Sequence, residues 1–187
     1  MNILNARQFN ESIKIQPVTK RRLAEHGMPS SIGSTVRIGD AVWAATNSNL
    51  IEPTLKPMKD FFVEHNEERG TIVYYTFSGA LKSVPEGWRI PTLVDVRKLR
   101  TICNDSSLAL MSEHDGGHDT YGFGAQTVGY YKNNKWQFDD TEFCYWCLDE
   151  QTSQPHIFYG ERMGKYIQVK RVPNNNVFAY TLRLIKE

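Results

Sequence analysis

No apolar run in the sequence approaches the ~20 residues of a membrane-spanning helix, and no charged lead followed by an apolar stretch marks a secretory signal. These absences predict a soluble chain made in the cytoplasm. Cysteine is scarce: Cys103, Cys144 and Cys147 form an odd set that cannot all pair within one chain, which argues against a secreted disulfide scaffold. They are expected to be mostly reduced. Charge of one sign is missing too, since Lys plus Arg is 22 and Asp plus Glu is 21, so no net field favours nucleic acid or an anionic membrane. The spacing Cys144-Tyr-Trp-Cys147 invites a redox or zinc reading, but no second Cys pair completes a zinc set, and residues three apart on a strand point to opposite faces. No Ser, His and acid combination has a recognisable local frame. The sequence therefore predicts no catalytic residue, no cofactor and no metal.

At 187 residues the chain is long enough for one domain with a proper core plus an extension. Aromatic residues make up 12%, with nine Tyr and four Trp, which suits a β-rich fold with broad contact surfaces. One stretch is too particular for composition to explain: Val84-Pro85-Glu86-Gly87-Trp88-Arg89-Ile90-Pro91-Thr92. Pro85 presets its own φ and Gly87 accepts a positive one, so Pro-Glu-Gly reads as a turn that gives Trp88 a fixed, fully packed place. Pro91 pushes Ile90 to an extended conformation, and Thr92 with Asp95 forms a Thr-x-x-Asp capping box. A one-sided helix follows from Leu93 to near Cys103, its apolar positions being Leu93, Val96, Leu99 and Ile102.

That stretch resembles the signature of the Fibrobacter succinogenes major paralogous domain family, whose usual form is Cys-Pro-Glu-Gly-Trp-Arg-Leu-Pro-Thr; here Val84 stands for the Cys. Val36-Arg37-Ile38-Gly39-Asp40-Ala41-Val42-Trp43 with Asn47 is similar to the family's opening strand pair. Tyr121-Gly122-Phe123, Gly129-Tyr130, Tyr145-Trp146 and Phe178 to Arg183 are similar to its later landmarks. The resemblance implies an α+β, C-type-lectin-like domain with antiparallel sheets and one main capped helix, covering residues 30–187. Its structural core is expected to include Trp43, Pro85, Gly87, Trp88, Pro91, Thr92 and Trp146.

Met1 to Pro29 has a different character. Ser12 to Gln16 alternates like a short strand that Pro17 ends, and Thr19 caps a compact helix closed by Gly27. So short a piece buries little area by itself, so Ile13, Ile15, Val18 and Leu23 are expected to pack on a partner. Residues 1–29 are thus expected to form an assembly segment, separated from the domain by the Pro/Ser/Gly linker that ends at Ser34. Its Asn10 to Thr19 sequence resembles the start of small proteins from tailed phages of gut Bacteroidota.

Within the domain, Gly39-Asp40 predicts a type II′ hairpin with Trp43 facing the core. Met58, Phe61, Phe62 and His65 predict a short amphipathic helix at about residues 58–68, and Thr71 to Phe77 a strand. A helical turn is expected within Ser78 to Val84. The His114-Asp115-Gly116-Gly117-His118-Asp119 loop carries the letters of a divalent-cation site, which also describe an ordinary solvated loop; the latter is expected. Asn133-Asn134 predicts a hairpin, Phe143 to Leu148 a core strand, and Pro173 to Asn176 a second hairpin joining Tyr166–Val172 to Val177–Ile185. Along that last strand Ala179, Thr181 and Arg183 are expected on a wet face.

Taken together, these features point to a non-enzymatic virion component: a fibre, decoration or attachment protein held to other virion proteins by its N-terminal segment. It is expected to be a homo-oligomer facing a host-surface glycan or protein. The alternative is a bacterial surface adhesin or carbohydrate-binding protein.

Overall fold

The computed structural model describes residues 32–187 apart from Asn134 and Asp139. The predicted N-terminal strand and helix, with Ile13, Ile15, Val18 and Leu23, lie outside the described residues. The fold is a mainly antiparallel α+β arrangement with two helices among the described residues. Strands β1 (Thr35–Ile38) and β2 (Ala41–Ala44) form the expected hairpin, Gly39 taking φ 64 at the first turn position. Strand β3 (Phe61–Asn66) pairs with β4 (Gly70–Tyr75), and α1 (Phe77–Lys82) follows directly. The proline-framed stretch supplies β5 (Trp88–Arg89) and leads into α2 (Leu93–Ile102). Then come β6 (Tyr130–Lys132), β7 (Lys135–Gln137), β8 (Glu142–Leu148), β9 (Pro155–Glu161), β10 (Gln168–Arg171), β11 (Phe178–Ala179) and β12 (Ile185–Lys186).

Four sheets result, in the orders β1-β2-β12-β5, β10-β9-β8, β11-β6-β7 and β3-β4. The last strand sits inside the first sheet, Ile185 lying between Trp43 and Arg89, so the chain closes on its opening hairpin. Strand β8 runs between two cores. Phe143, Tyr145 and Cys147 face the one that α2 covers through Val96 and Leu99, while Cys144 and Trp146 face the other, with Phe77, Ile90, Leu182 and Leu184. The period of two thus separates Cys144 from Cys147 as the sequence predicts.

The organising stretch behaves as its residues dictate. Trp88 N–H donates to Pro85 O at 3.2 Å, and Gly87 takes φ 76 where a Cβ would meet nothing, so backbone conformation alone requires the glycine. Thr92 Oγ1 accepts from Asp95 N–H at 3.3 Å while Thr92 N–H donates to Asp95 Oδ2 at 2.7 Å, which closes the capping box. The same carboxylate pairs with both guanidinium nitrogens of Arg89, at 2.5 and 3.0 Å, and so ties β5 to the first turn of α2.

Trp43 and Trp146 are buried, and so is Pro91. Trp88 is not enclosed: β5 is an edge strand, so the indole is half-buried, against the second core. Pro85 and Thr92 are also half-buried and Gly87 is exposed. The predicted helix over 58–68 is instead β3, paired with β4 from Phe61↔Tyr75 to Asn66↔Gly70. Phe61 and Phe62 enter different cores, which neighbouring residues do on a strand and not on one face of a helix. The predicted second hairpin is also absent, because β10 pairs with β9 and β11 with β6. The wet face predicted for the closing segment is buried as well: Ala179, Thr181 and Arg183 are each 0% exposed.

Candidate functional site

Alternation along β8 and β9 builds one wall of an open groove. Their register sets Glu142 opposite Glu161, Cys144 opposite Tyr159 and Trp146 opposite Ile157, all on the same face. Strand β10 adds Lys170 opposite Ile157. The facing wall comes from β6 and β11, where Tyr130 and Phe178 turn toward the groove while their neighbours Tyr131 and Ala179 turn into a separate core. Tyr180 follows β11, its ring 5.0 Å from Tyr130 and 4.8 Å from Trp146. Between the walls lies a hollow of about 250 Å³.

The rings pack against the second core on one side and stay partly open on the other. Tyr130, Tyr159 and Phe178 are half-buried and Phe138 is 55% exposed, its ring stacked on Tyr130 at 5.9 Å. Phe138 also holds φ 56, a left-handed conformation that bulky residues rarely adopt and that recurs where function constrains the backbone.

The acidic end has no ion pair among the described residues. Burial pushes the Glu142 carboxyl up, and the Glu161 charge across the strand pair adds to it, while the Cys144 thiol and then Lys170 oppose without reversing the shift. Cys144 Sγ lies 3.7 Å from Glu142 Oε2, and among the described residues neither carboxylate has an ion-pair partner within 4.0 Å. Tyr180 is 3% exposed, yet its hydroxyl makes no hydrogen bond among the described residues. Burial raises its pKa, and Cys144, Tyr130 and Glu142 are its charged or ionisable neighbours. At the other end Lys132 Nζ lies 4.9 Å from the Phe178 ring centroid, with Lys170 and Arg171 exposed on the rim.

Two other hollows differ in kind. The larger, about 770 Å³, lies between α2 and the first sheet; four of its ionisable groups are taken up in the pairs Arg89–Asp95 and Lys98–Asp40, Arg37, Lys186 and Glu187 also line it, and its one aromatic residue, Trp43, is buried. One of about 330 Å³ under Ile32 is lined by small polar residues such as Thr46, Asn47 and Thr71, and carries no aromatic ring.

The loop with cation-site letters is divided by the fold. Asp115 is buried, accepts from Arg69 Nη2 at 2.6 Å, from Thr127 Oγ1 at 2.8 Å and from Ser112 Oγ, whereas His114 and His118 are exposed. Among the described residues no three His, Cys, Asp or Glu side chains come together as metal ligands. Sequence reasoning singled out none of the groove residues as a binding site. Tyr130, Glu142, Glu161 and Tyr180 lie on four separate segments, and only the aromatic excess hinted at them.

What fold and groove define together is a sheet-rich α+β domain with an open, ring-lined groove. No protein-family model, curated protein or solved structure matches the chain.

Proposed function

We propose that this chain is a non-enzymatic binding module of the C-type-lectin-like class, carried on the virion of a tailed phage of gut Bacteroidota as a fibre, decoration or attachment component. The groove between β8-β9 and β6-β11 is its ligand site. The observation that carries this reading is the set of accessible ring faces, Tyr130, Phe138, Tyr159 and Phe178, around a hollow that opens to solvent. Aromatic faces bind saccharide rings and other flat or amphipathic groups with little loss of conformational entropy. At about 250 Å³ the hollow falls just below the roughly 300 Å³ at which pockets begin to hold drug-sized molecules, so it suits one ring-sized group.

The resemblance of residues 84–92 to the Fibrobacter succinogenes major paralogous domain signature supports the fold assignment, as does the use of that stretch as a turn entering a capped helix. In this reading residues 1–29 hold the domain to other virion proteins, and several copies assemble symmetrically, so that weak single-site binding becomes strong attachment by avidity. The test is binding of the purified chain, multimerised on a bead or particle, to host cells and to a panel of their surface saccharides. Tyr130→Ala with Phe138→Ala is expected to abolish binding while the chain still folds cooperatively, its thermal midpoint lowered by the lost Tyr130 packing on Tyr180. Undiminished binding by this double variant would remove the groove from the account. Absence of the chain from purified virions would remove the particle.

A further inference from the structure

We infer that the groove takes a protonated primary amine carried on a ring-sized skeleton, an amino sugar being the ligand class it fits; this rests on the groove being the ligand site. Glu142 and Glu161 are direct cross-strand partners, a placement of like charges that destabilises a strand pair. No cation among the described residues sits within ion-pair distance of either, so the free protein offsets the repulsion only through the Cys144 thiol and the more distant Lys170 charge. An external ammonium placed between them removes that cost and gains charge-assisted hydrogen bonds.

Two further observations point to the same occupant. The ring faces beside the carboxylates attract a cation, and the groove already shows this with Lys132 Nζ over Phe178 at 4.9 Å. The Tyr180 hydroxyl, on a residue 3% exposed and without a partner, is left to hydrogen-bond a ligand oxygen, which an amino sugar has and a bare alkylamine lacks. A hydrated divalent cation fits less well, since it asks for about six to eight oxygen ligands and only two carboxylate residues line the groove. Lys170 is the internal competitor: exposed on the same sheet face toward the other end of the groove, its charge acts on Glu142 without being paired to it.

The experiment is calorimetric or NMR titration of the full chain with D-glucosamine, D-glucose, N-acetyl-D-glucosamine and Nα-acetyl-lysine amide near neutral pH. Glucosamine is expected to bind about tenfold more tightly than glucose or the N-acetyl sugar, whose nitrogen carries no charge. Glu142→Gln with Glu161→Gln should erase that difference and keep the weak sugar binding, and Lys170→Met should tighten the amine. Equal binding of glucose and glucosamine overturns this inference while leaving the groove as a ligand site. Tighter binding of the lysine derivative than of glucosamine overturns the sugar assignment. No binding by any of the four overturns the groove reading as well.

Discussion

Replacing Arg183 should be among the most damaging single changes in the domain, although its place in an alternating strand pattern suggests a solvated side chain. The side chain is fully buried, and acceptors surround its two terminal nitrogens while Nε has no partner among the described residues. Nη1 donates to Ala44 O at 3.1 Å and Phe123 O at 2.7 Å, and Nη2 donates to Asn47 Oδ1 at 2.9 Å, Gly124 O at 3.2 Å and the Tyr145 hydroxyl at 3.1 Å. It lies 4.6 Å from the Phe123 ring centroid and 5.2 Å from that of Tyr145. Carbonyl dipoles and ring faces therefore stabilise the charge, with no carboxylate within 4.0 Å among the described residues. Arg183→Met keeps most of the volume and removes the desolvation cost of the charge, but leaves the loop carbonyls of Phe123 and Gly124 without their donor. Orphaned buried acceptors cost about 1–3 kcal/mol each, and a newly buried apolar side chain recovers roughly 1.5–3 kcal/mol. With the ring contacts also lost, a net loss of about 2–4 kcal/mol follows, a large share of a typical ~5–15 kcal/mol total. Urea denaturation followed by Trp fluorescence measures it. Arg183→Lys should lose nearly as much, because one ammonium cannot reach five acceptors fanned around a plane. A Met variant within ~0.5 kcal/mol of the parent would refute the claim that this hub joins β2, the 123–124 loop and the closing segment.

Thr92→Ala should cost about 1 kcal/mol in the same assay, since it removes the acceptor for Asp95 N–H while the Arg89 pair keeps the carboxylate in place. Gly79→Ala should cost more, because its Cβ would lie 1.9 Å from Asp60 O, a backbone atom that cannot swing away; a near-normal thermal midpoint would mean that α1 is not seated on that turn. Glu142→Gln should raise the thermal midpoint at neutral pH. Burial and then Glu161 hold its folded pKa above the ordinary value, so ionisation opposes folding there, and a midpoint that falls would contradict the repulsion. Asp115 gives the opposite sign. Burial pushes its carboxyl up, but the Ser112, Thr127 and Arg69 contacts outweigh it and lower the pKa, so its stabilisation is complete above about pH 4 and is lost as pH falls through the lowered value. Asp115→Asn should be less stable at neutral pH and flatter in acid, which a pH series of melts will show.

Short-range chemistry was legible in the sequence where a few adjacent residues decide the outcome. The Thr92/Asp95 box, the positive φ of Gly87 and Gly39, and the Asn133 turn each depend on contacts within three or four positions. What failed depended on distant partners. Met58, Phe61, Phe62 and His65 match a helical period, yet β4 supplies a ladder of backbone hydrogen bonds along all of β3 and takes the two phenylalanines to different cores. Pro173 to Asn176 does mark a break between strands, but the hydrogen-bonding partners on either side are β9 and β6, so a local turn signal could not name them. Arg183 was misread for the same reason. Alternation gives its face, and only the tertiary fold brings Phe123 and Tyr145 over that face.

The groove was the least legible feature, and the reason bears on the role proposed for its acids. Glu142 begins a strand whose next five residues are all buried, where a solvated end residue is the ordinary expectation; its cost arises only because β9 sets Glu161 opposite. A chain under selection for stability alone would relieve such a pair with one change to Gln or Lys, and surface pairs of this kind are easily optimised. Other acids in the domain are relieved in this way: Asp95 has Arg89, Asp115 has Arg69 and Asp60 has Lys82. Glu142 and Glu161, set opposite each other on paired strands, have no such ion pair among the described residues. They lie at the hollow where accessible rings, a left-handed Phe138 and an unpartnered Tyr180 hydroxyl also collect. Single departures of this kind occur elsewhere among the described residues, at Met58 with φ 62 and at the partnerless Ser48 Oγ, Asn49 Oδ1 and Arg183 Nε, so what supports the proposed site is that an unpaired acid couple and accessible rings meet in one hollow.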